Sequence, residues 1–327
     1  MAAVLTRPPL PTTKEHKRFT TLFRRQVAPR LQDLEAERQR LQRRYLLVLA
    51  GFGGLLGIDL ALLWQVGPSF ALLSAVALGA LAWVVLHHLE RRFHDQLRVM
   101  VMPALCEAIG DIAHGVGGAP GLDLDALEKL GLLPHTHRRQ IDDVFVGRHR
   151  DTGFILAEAT LRQRSRGSKG GTRTKFRGLI LAIATPHEIP ARILIAKDAG
   201  LVGNKVIGWL RNCQGLERIL LPHPGFEQHF ELYADRAEVA LRTVTPGLCD
   251  ALVALAEAHD GRPLQAALLG RHFYLTMPKR GDHFSLGSLF RPLDRLEEDA
   301  GRVLHDVQIV HRVIDTLHGD RRAATVR

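Results

Sequence analysis

The strongest apolar pattern in the chain lies between Tyr45 and Leu89, where two nearly uninterrupted hydrophobic runs flank the short stretch Gln65–Ser69. Each run is close to the roughly 20 residues that an α-helix needs to cross a bilayer. The pattern predicts two transmembrane helices, over about 45–66 and 69–89. Helical periodicity on both flanks extends this prediction to a helical membrane hairpin with polar extensions over residues 29–114.

Charge gives the hairpin a predicted orientation. Arginines flank both outer ends, at Arg43 and Arg44 before the first run and at Arg91, Arg92 and Arg98 after the second, whereas the turn carries no charge. By the positive-inside rule, a two-pass protein with both termini in the cytoplasm is expected. The net charge of +10 comes largely from the first 44 residues, and beside a membrane span such an excess favours anionic lipid over nucleic acid.

Three residues in the first run suggest contacts within the membrane. Gly53 and Gly57 are separated by one helical turn, which allows another helix backbone to approach closely. Asp59 is a carboxylate inside the span, where a charge is costly and often has a function. The sequence therefore predicts helix packing at Gly53, Gly57 and Asp59, and leaves open a channel or transporter subunit that uses Asp59 in an oligomer.

The remaining chain divides into a terminus, a linker and a domain. Residues 1–28 are predicted to be a disordered basic N-terminus, and residues 115–143 a linker with one short helix. Asp123 is placed to cap that helix and Gly131 to end it. The three cysteines are far apart, a pattern typical of neither a disulfide framework nor a zinc site.

Residues 144–327 alternate between strand and helix patterns and predict a cytosolic α+β domain with a mostly antiparallel sheet. Alternating apolar residues indicate strands over 144–150, 153–164 and 174–185. Shorter strands are predicted at 192–196, 218–221 and 230–233, helices at 235–244 and 248–259, and a hairpin of 264–269 with 272–277 around Gly270 and Arg271. The apolar stripe of Leu289–Leu317 predicts a long amphipathic C-terminal helix.

One connection in this domain is strongly basic and contains no acid. Its position in a membrane-tethered domain makes lipid headgroups or phosphate the most economical ligand for a binding role. A flexible, solvated hairpin loop is the stronger interpretation. The candidate contact residues are Arg162, Arg164, Arg166, Lys169, Arg173, Lys175 and Arg177.

The chain carries no established catalytic motif: HExxH, GxSxG and CxxC are all absent. The densest set of possible ligands or acid–base groups is His223, Glu227, His229 and Asp235. These residues could form a hydrolase-type site only in an unusual loop, and a packing or surface role is the stronger interpretation. No cofactor and no metal site are predicted.

Several segments together resemble a known family. VFVGRHRDTGFILAEATL, KFRGLILAI, LPHPGFEQHFELYADRAEVALRTVTPGL and GRHFYLTMP, followed by a long C-terminal helix, are similar to the bacterial family called domain of unknown function 3137. The resemblance implies a bacterial inner-membrane protein with a two-span hairpin and a cytosolic domain. It implies no catalytic residues.

The sequence thus supports a membrane-anchored adaptor or regulatory binding module, whose expected partners are the lipid bilayer and a protein or a second copy of the chain. A membrane-associated hydrolase and a small oligomeric channel or transporter subunit are the alternatives. An anchored domain without a catalytic motif needs only an exposed binding surface, which favours the first hypothesis.

Overall fold

The computed structural model describes residues 14–164, 171–197, 215–258, 264–278, 284 and 286–318. Contacts divide the chain into two compact units. The first comprises the described residues of Met1–Ile109 and Ser285–Arg302, and the second those of Gly110–Phe284 and Val303–Arg327. The first unit is therefore built from two stretches that are far apart in the sequence.

The first unit is helical. Helix α1 (Lys14–Leu22) passes through a π-helical turn (Phe23–Val27) and a 3₁₀ turn (Ala28–Arg30) into α2 (Leu31–Val66), and α3 (Pro68–Ile109) follows. The prediction of disorder over residues 1–28 is therefore wrong from Lys14 onward. The apolar spacing of Phe19, Phe23 and Val27 lets these side chains be buried in this unit, where α1 packs on α3. Residues 1–13 lie outside the described part of the chain.

Helices α2 and α3 are both long and apolar enough to cross a membrane. Their exposure changes sharply near Tyr45. Leu34 and Leu41, before Tyr45, are buried, whereas Leu46 and Leu47, just after it, are half or more exposed. Apolar side chains that remain exposed over a long helical surface are expected to face lipid, so the predicted span boundary at Tyr45 coincides with this change.

The returning stretch 286–302 completes the first unit. Leu286, Leu289 and Leu293 are buried, and a 3₁₀ turn (Leu293–Arg295) leads into helix α8 (Leu296–Leu317). The C-terminal helix was predicted to begin at Leu289. It begins seven residues later because Pro292 lacks an N–H donor and disfavours helical geometry in the preceding residue.

The second unit is built around one antiparallel sheet with helices, which confirms the predicted α+β class. Its strand order is β1-β2-β3-β4-β6-β5, and β7 pairs with the other edge of β4. The strands are β1 (Ile112–Val116), β2 (Arg138–His149), β3 (Thr152–Arg164), β4 (Thr172–Lys197), β5 (Glu217–Ile219), β6 (Phe230–Ala234) and β7 (Gln265–Pro278). The sheet thus begins at Ile112, within the predicted helical segment 29–114, and β1 and β2 both extend into the segment 115–143 that was predicted to be a linker.

Strands β4 and β7 form a long bent ribbon in place of the shorter predicted elements. The predicted strands 174–185 and 192–196 are one strand with irregular pairing between Ala184 and Ile193. The predicted hairpin around Gly270 is wrong in its pairing, because both halves of β7 pair with β4. Gly270 has a φ of +59°, and the Thr276 hydroxyl donates to the Gln265 carbonyl oxygen at 3.3 Å, so the strand bends sharply near this glycine without reversing its direction along β4.

Short helices pack around the sheet: α4 (Leu124–Lys129), α5 (Pro224–His229), α6 (Ala237–Thr243) and α7 (Pro246–Ala258). The Asp123 carboxylate accepts a hydrogen bond from the Ala126 N–H, and Gly131 has a φ of +84°, as the sequence predicts for the two ends of α4. Helices α6 and α7 meet at 73° and are together long and apolar enough for a broken membrane span, but Leu248 and Leu252 are buried.

The end of α8 packs against the turn between β2 and β3. The rings of His149 and His311 stack with centroids 4.0 Å apart, and Asp315 contacts both His149 and Arg150. The turn residues Arg150 and Asp151 both have positive φ, which suits a two-residue hairpin turn. The turn lies one residue earlier than predicted.

Candidate functional site

The basic connection runs along the ends of β3 and β4. Arg166 and Lys169 lie outside the described residues, so the structure gives positions for five of the seven predicted contact residues. Arg173, Lys175 and Arg177 alternate along β4 with Thr172, Thr174 and Phe176. Phe176 is only 7% exposed and belongs to the core of the second unit. Alternate strand residues point to opposite faces, but the pairing of β4 with β3 shifts by one residue between Leu161 and Arg162, which leaves Lys175 as an extra residue in β4.

We call Arg173, Lys175 and Arg177 the basic strip. All three side chains are exposed, and none has a salt-bridge partner among the residues that the structure describes. The strip therefore places three positive charges within five residues of one strand, an arrangement that suits several phosphates or carboxylates better than a single anion.

Arg162 and Arg164 lie on the neighbouring strand, where their cross-strand partners in β4 are Thr174 and Thr172. Directly paired residues share one face of a sheet, and Arg177 pairs with Thr160, two residues before Arg162 in β3. Arg162, Arg164 and Arg177 therefore share a face, whereas Arg173, which pairs with Gln163, lies on the other. The described members of the predicted contact surface are thus divided by the register shift.

The predicted polar cluster does not converge on one point. His223 caps helix α5: its Nδ1 accepts a hydrogen bond from the Phe226 N–H at 3.0 Å. Its Nε2 lies 3.0 Å from Oδ1 of Asp250. Because Nδ1 is the acceptor, Nε2 carries the proton and donates to the carboxylate. Both ring nitrogens are therefore engaged, which leaves His223 no nitrogen for acid–base catalysis.

The other three cluster residues hold separate parts of the chain. Glu227 accepts from the Leu221 N–H at 3.0 Å, and Nδ1 of His229 lies 3.0 Å from the Gly225 carbonyl oxygen. Asp235 accepts from both the backbone N–H and the Nε of Arg192, at 2.9 and 3.0 Å. Partial burial raises the pKa of Asp235, but these hydrogen bonds outweigh it, and the net pKa is lowered.

No group of three or more His, Cys, Asp and Glu side chains in the described ranges could hold a metal ion. His135, which the sequence places near His137, instead has its Nδ1 3.0 Å from Glu128. Glu128 also accepts from Thr136 and Arg139, so it holds the start of β2 to helix α4. Each of these polar groups has a local structural partner.

Of the three residues predicted to pack within the membrane, Asp59 contacts the described part of the second helix, whereas Gly53 and Gly57 do not. The Ser74 hydroxyl of α3 donates to Oδ2 of Asp59 at 2.6 Å, so Asp59 has a polar partner on the second span. Gly53 and Gly57 have no atom of the chain within 4 Å of where a Cβ would lie. The described helices of this chain therefore do not use the glycine pair for packing, although Asp59 does contact the second helix.

A partly buried ion pair makes long-range contacts that the sequence does not indicate. Arg38, only 5% exposed, donates to both carboxylate oxygens of Glu35 at 2.6 and 2.9 Å. It also donates to the Leu289 carbonyl oxygen at 2.7 Å, and Glu35 accepts from the Leu293 N–H. Spacing of three residues predicts the pair itself, but its binding to a segment about 250 residues away has no local signature.

Residues 174–318 match the family model described as a protein of unknown function, DUF3137. This segment belongs to that family. The match confirms the resemblance for the motifs at Phe176–Gly178, Tyr233, Asp235 and Gly270–Tyr274, and it does not extend to the motif at 144–161. The family's description assigns no activity to these residues.

The structural comparison gave one solved neighbour, the crystal structure of the mycobacterial trehalose monomycolate transport factor A, TtfA. It is 12% identical with a TM-score of 0.31, and the alignment covers 64% of this chain and 92% of that one. A comparison with curated proteins returned no match.

Proposed function

We propose that the protein is a membrane-anchored adaptor, in which a two-span hairpin holds a cytosolic α+β domain that binds an anionic partner. The observation that carries this proposal is the basic strip, three exposed cations at alternate positions of β4 with no described salt-bridge partner. Nearby positive charges reinforce each other's attraction for an anionic surface and raise its association rate.

The proposed location is the bacterial cytoplasmic membrane, with both termini in the cytoplasm. The uncharged turn between α2 and α3 and the arginines at both outer ends support this orientation. A lipid headgroup, an acidic protein surface or a second copy would each offer anions to the basic strip. An acidic protein is the partner that an adaptor requires.

The test is in-membrane photocrosslinking of the full chain, with a photoreactive residue replacing Thr174 between two strip residues and partners identified by mass spectrometry. We expect a protein adduct that is lost when Arg173, Lys175 and Arg177 are all changed to Gln. The matched control removes the same number of charges elsewhere in the second unit, by changing the exposed Arg236, Arg242 and Arg271 to Gln, and should leave the adduct intact.

Lipid adducts alone would replace the adaptor proposal with lipid sensing. Equal losses in the triple variant and its control would show that general charge, and not the basic strip, governs binding. Chain-to-chain adducts would identify the partner as a second copy.

A further inference from the structure

The first unit contains a tight turn that carries an exposed aromatic side chain to the level at which the span begins. Ser288 and Arg291 pair across the turn, with the Arg291 N–H donating to the Ser288 carbonyl oxygen at 3.2 Å. We call Ser288–Arg291 the aromatic turn. Its Phe290 is 46% exposed, although Leu289 beside it is fully buried.

The position of Phe290 along α2 is set by a ring contact. The rings of Phe290 and Tyr45 meet edge to face, with centroids 4.9 Å apart. Tyr45 is where the apolar residues of α2 change from buried to exposed. Tyrosine at such a boundary is typical of the interfacial belt of membrane proteins, and Phe290 therefore lies at the same depth as the start of the span.

The ion pair of Arg38 and Glu35 holds the aromatic turn at that depth. Arg38 donates a hydrogen bond to the Leu289 carbonyl oxygen, and Glu35 accepts one from the Leu293 N–H. Between Glu35 and Tyr45, α2 rises about 15 Å at about 1.5 Å per residue, so the segment 289–293 runs along the helix towards the membrane end. Gly287 reinforces the fit, since a Cβ there would lie 2.9 Å from Leu97 of α3.

Several backbone groups of the aromatic turn already have hydrogen-bond partners within the protein. The Phe290 N–H donates to the Ser288 hydroxyl oxygen at 3.3 Å, and the carbonyl oxygens of Ser288 and Leu289 accept the bonds described above. Unpaired backbone groups are what makes irregular structure costly near hydrocarbon. Arg291, exposed next to Phe290, supplies a cation at the level of the headgroups.

From this arrangement we infer that the aromatic turn is a second membrane contact, which inserts Phe290 at the boundary between headgroups and acyl chains. The ligand is the lipid bilayer itself. The inference rests on the membrane anchoring in the proposed function. It adds that a segment between two parts of the α+β domain in sequence returns to the bilayer, in addition to the two spans.

The experiment uses the full chain in vesicles of phosphatidylcholine and phosphatidylglycerol, with the photoreactive residue p-benzoylphenylalanine at one position at a time. The positions are Phe290, the span residue Leu47 (72% exposed) and Leu220 (71% exposed), which lies just after β5 in the second unit. After irradiation, mass spectrometry detects lipid adducts. We expect lipid adducts at positions 290 and 47, and no lipid adduct at position 220.

The two proposals fail in different ways. Lipid adducts at 47 without adducts at 290 would overturn the second membrane contact alone. The absence of adducts at 47 would overturn membrane anchoring and this inference with it. Protein adducts in place of lipid adducts at 290 would also overturn it and identify the aromatic turn as a protein contact.

A second variant tests the positioning role of Arg38. In the chain that carries the photoreactive residue at 290, Arg38→Gln should remove most of the lipid adduct because the turn loses its anchor. The same substitution should leave the adduct at 47 unchanged, since the span does not depend on this ion pair. An unaltered adduct at 290 would contradict the assignment of Arg38 as the positioning residue.

Discussion

Glu35 and Arg38 illustrate how two residues on a helix can be more than a surface ion pair. Hydrogen bonding from Arg38 is the main cause that lowers the pKa of Glu35 to about 2, against the opposing effect of burial. The same bond raises the pKa of Arg38. The Glu35 side chain is 29% exposed, so solvent screening reduces the stabilisation that this shift represents.

A pH-dependent stability follows from Glu35. Its folded-state pKa lies below the model-peptide value of 4.5, so the ionised form favours the folded state, fully above about pH 4.5. We expect Glu35→Gln to lower the free energy of unfolding by about 2 kcal/mol at pH 7. The deficit should shrink as the pH falls from 4.5 towards 2. Thermal unfolding of the detergent-solubilised chain measures it, with the exposed Asp33→Asn as control.

His223 gives a residue-scale prediction that separates capping from catalysis. His223→Ala removes the acceptor for the Phe226 N–H and should cost about 1 kcal/mol, the usual effect of losing an N-cap. His223→Asn restores a capping oxygen and should recover most of that loss. The measurement is the unfolding midpoint of the α+β domain within the full chain. Equal destabilisation by both substitutions would contradict a capping role.

At the scale of elements, the membrane hairpin is joined by the bond between Ser74 and Asp59. Ser74→Ala should weaken the packing of α2 on α3 by about 1 kcal/mol, the order found for hydrogen bonds between membrane helices. Unfolding in mixed detergent micelles measures this loss, and Ser69→Ala, an exposed serine at the turn, is the control. Asp59→Asn keeps an acceptor and should leave proton flux through vesicles unchanged; altered flux would support the transport alternative.

The bend of β7 depends on backbone conformation alone. Gly270 has a φ of +59° and open space around the position of a Cβ. Gly270→Ala should therefore cost about 1 kcal/mol, because a side chain disfavours this conformation without any clash. Gly153→Ala, at a strand glycine with equally open surroundings and no positive φ, should cost less. A comparison of the two unfolding midpoints checks the bend, and equal costs would argue against it.

Sequence patterns correctly predicted those elements that depend on residues close together in the chain. The lengths of the apolar runs identify both membrane helices, and Asp123 with Gly131 identify the ends of α4. The pattern around Gly270 indicated a turn but gave the wrong pairing, since both halves of β7 share one long partner that no local signal reveals. The basic residues on β3 and β4 can be identified in the sequence. Which face of the sheet each one occupies can be predicted only from the pairing register of the strands.

At the scale of the whole molecule, topology is the main prediction. If both termini are cytoplasmic, the uncharged turn faces the opposite side of the membrane. Gly67→Cys should then react with a membrane-impermeant maleimide added to intact cells, and Arg44→Cys should not. Maleimide should label the native Cys249 only weakly, since burial raises the pKa of its thiol to about 12 and keeps it protonated. Labelling of Arg44→Cys in preference to Gly67→Cys would reverse the orientation.

The arrangement of the chain as a whole was predicted only in part. A hairpin followed by an α+β domain follows from composition and periodicity along the sequence. The return of residues 286–302 to the helical unit does not, because Arg38 and Leu289 are brought together by the fold and share no pattern. The candidate site shows the same limit. The residue types at His223 and Asp235 suggested a catalytic role, whereas the hydrogen bonds of both side chains are structural.

The discontinuity of the first unit has a consequence for synthesis on the ribosome. Leu97, which lies close to Gly287, is translated about 190 residues before that glycine. At a translation rate of about 5–20 residues per second, that interval lasts about 10–40 s. The hairpin therefore enters the membrane with part of its apolar surface uncovered, and only the final stage of translation closes it.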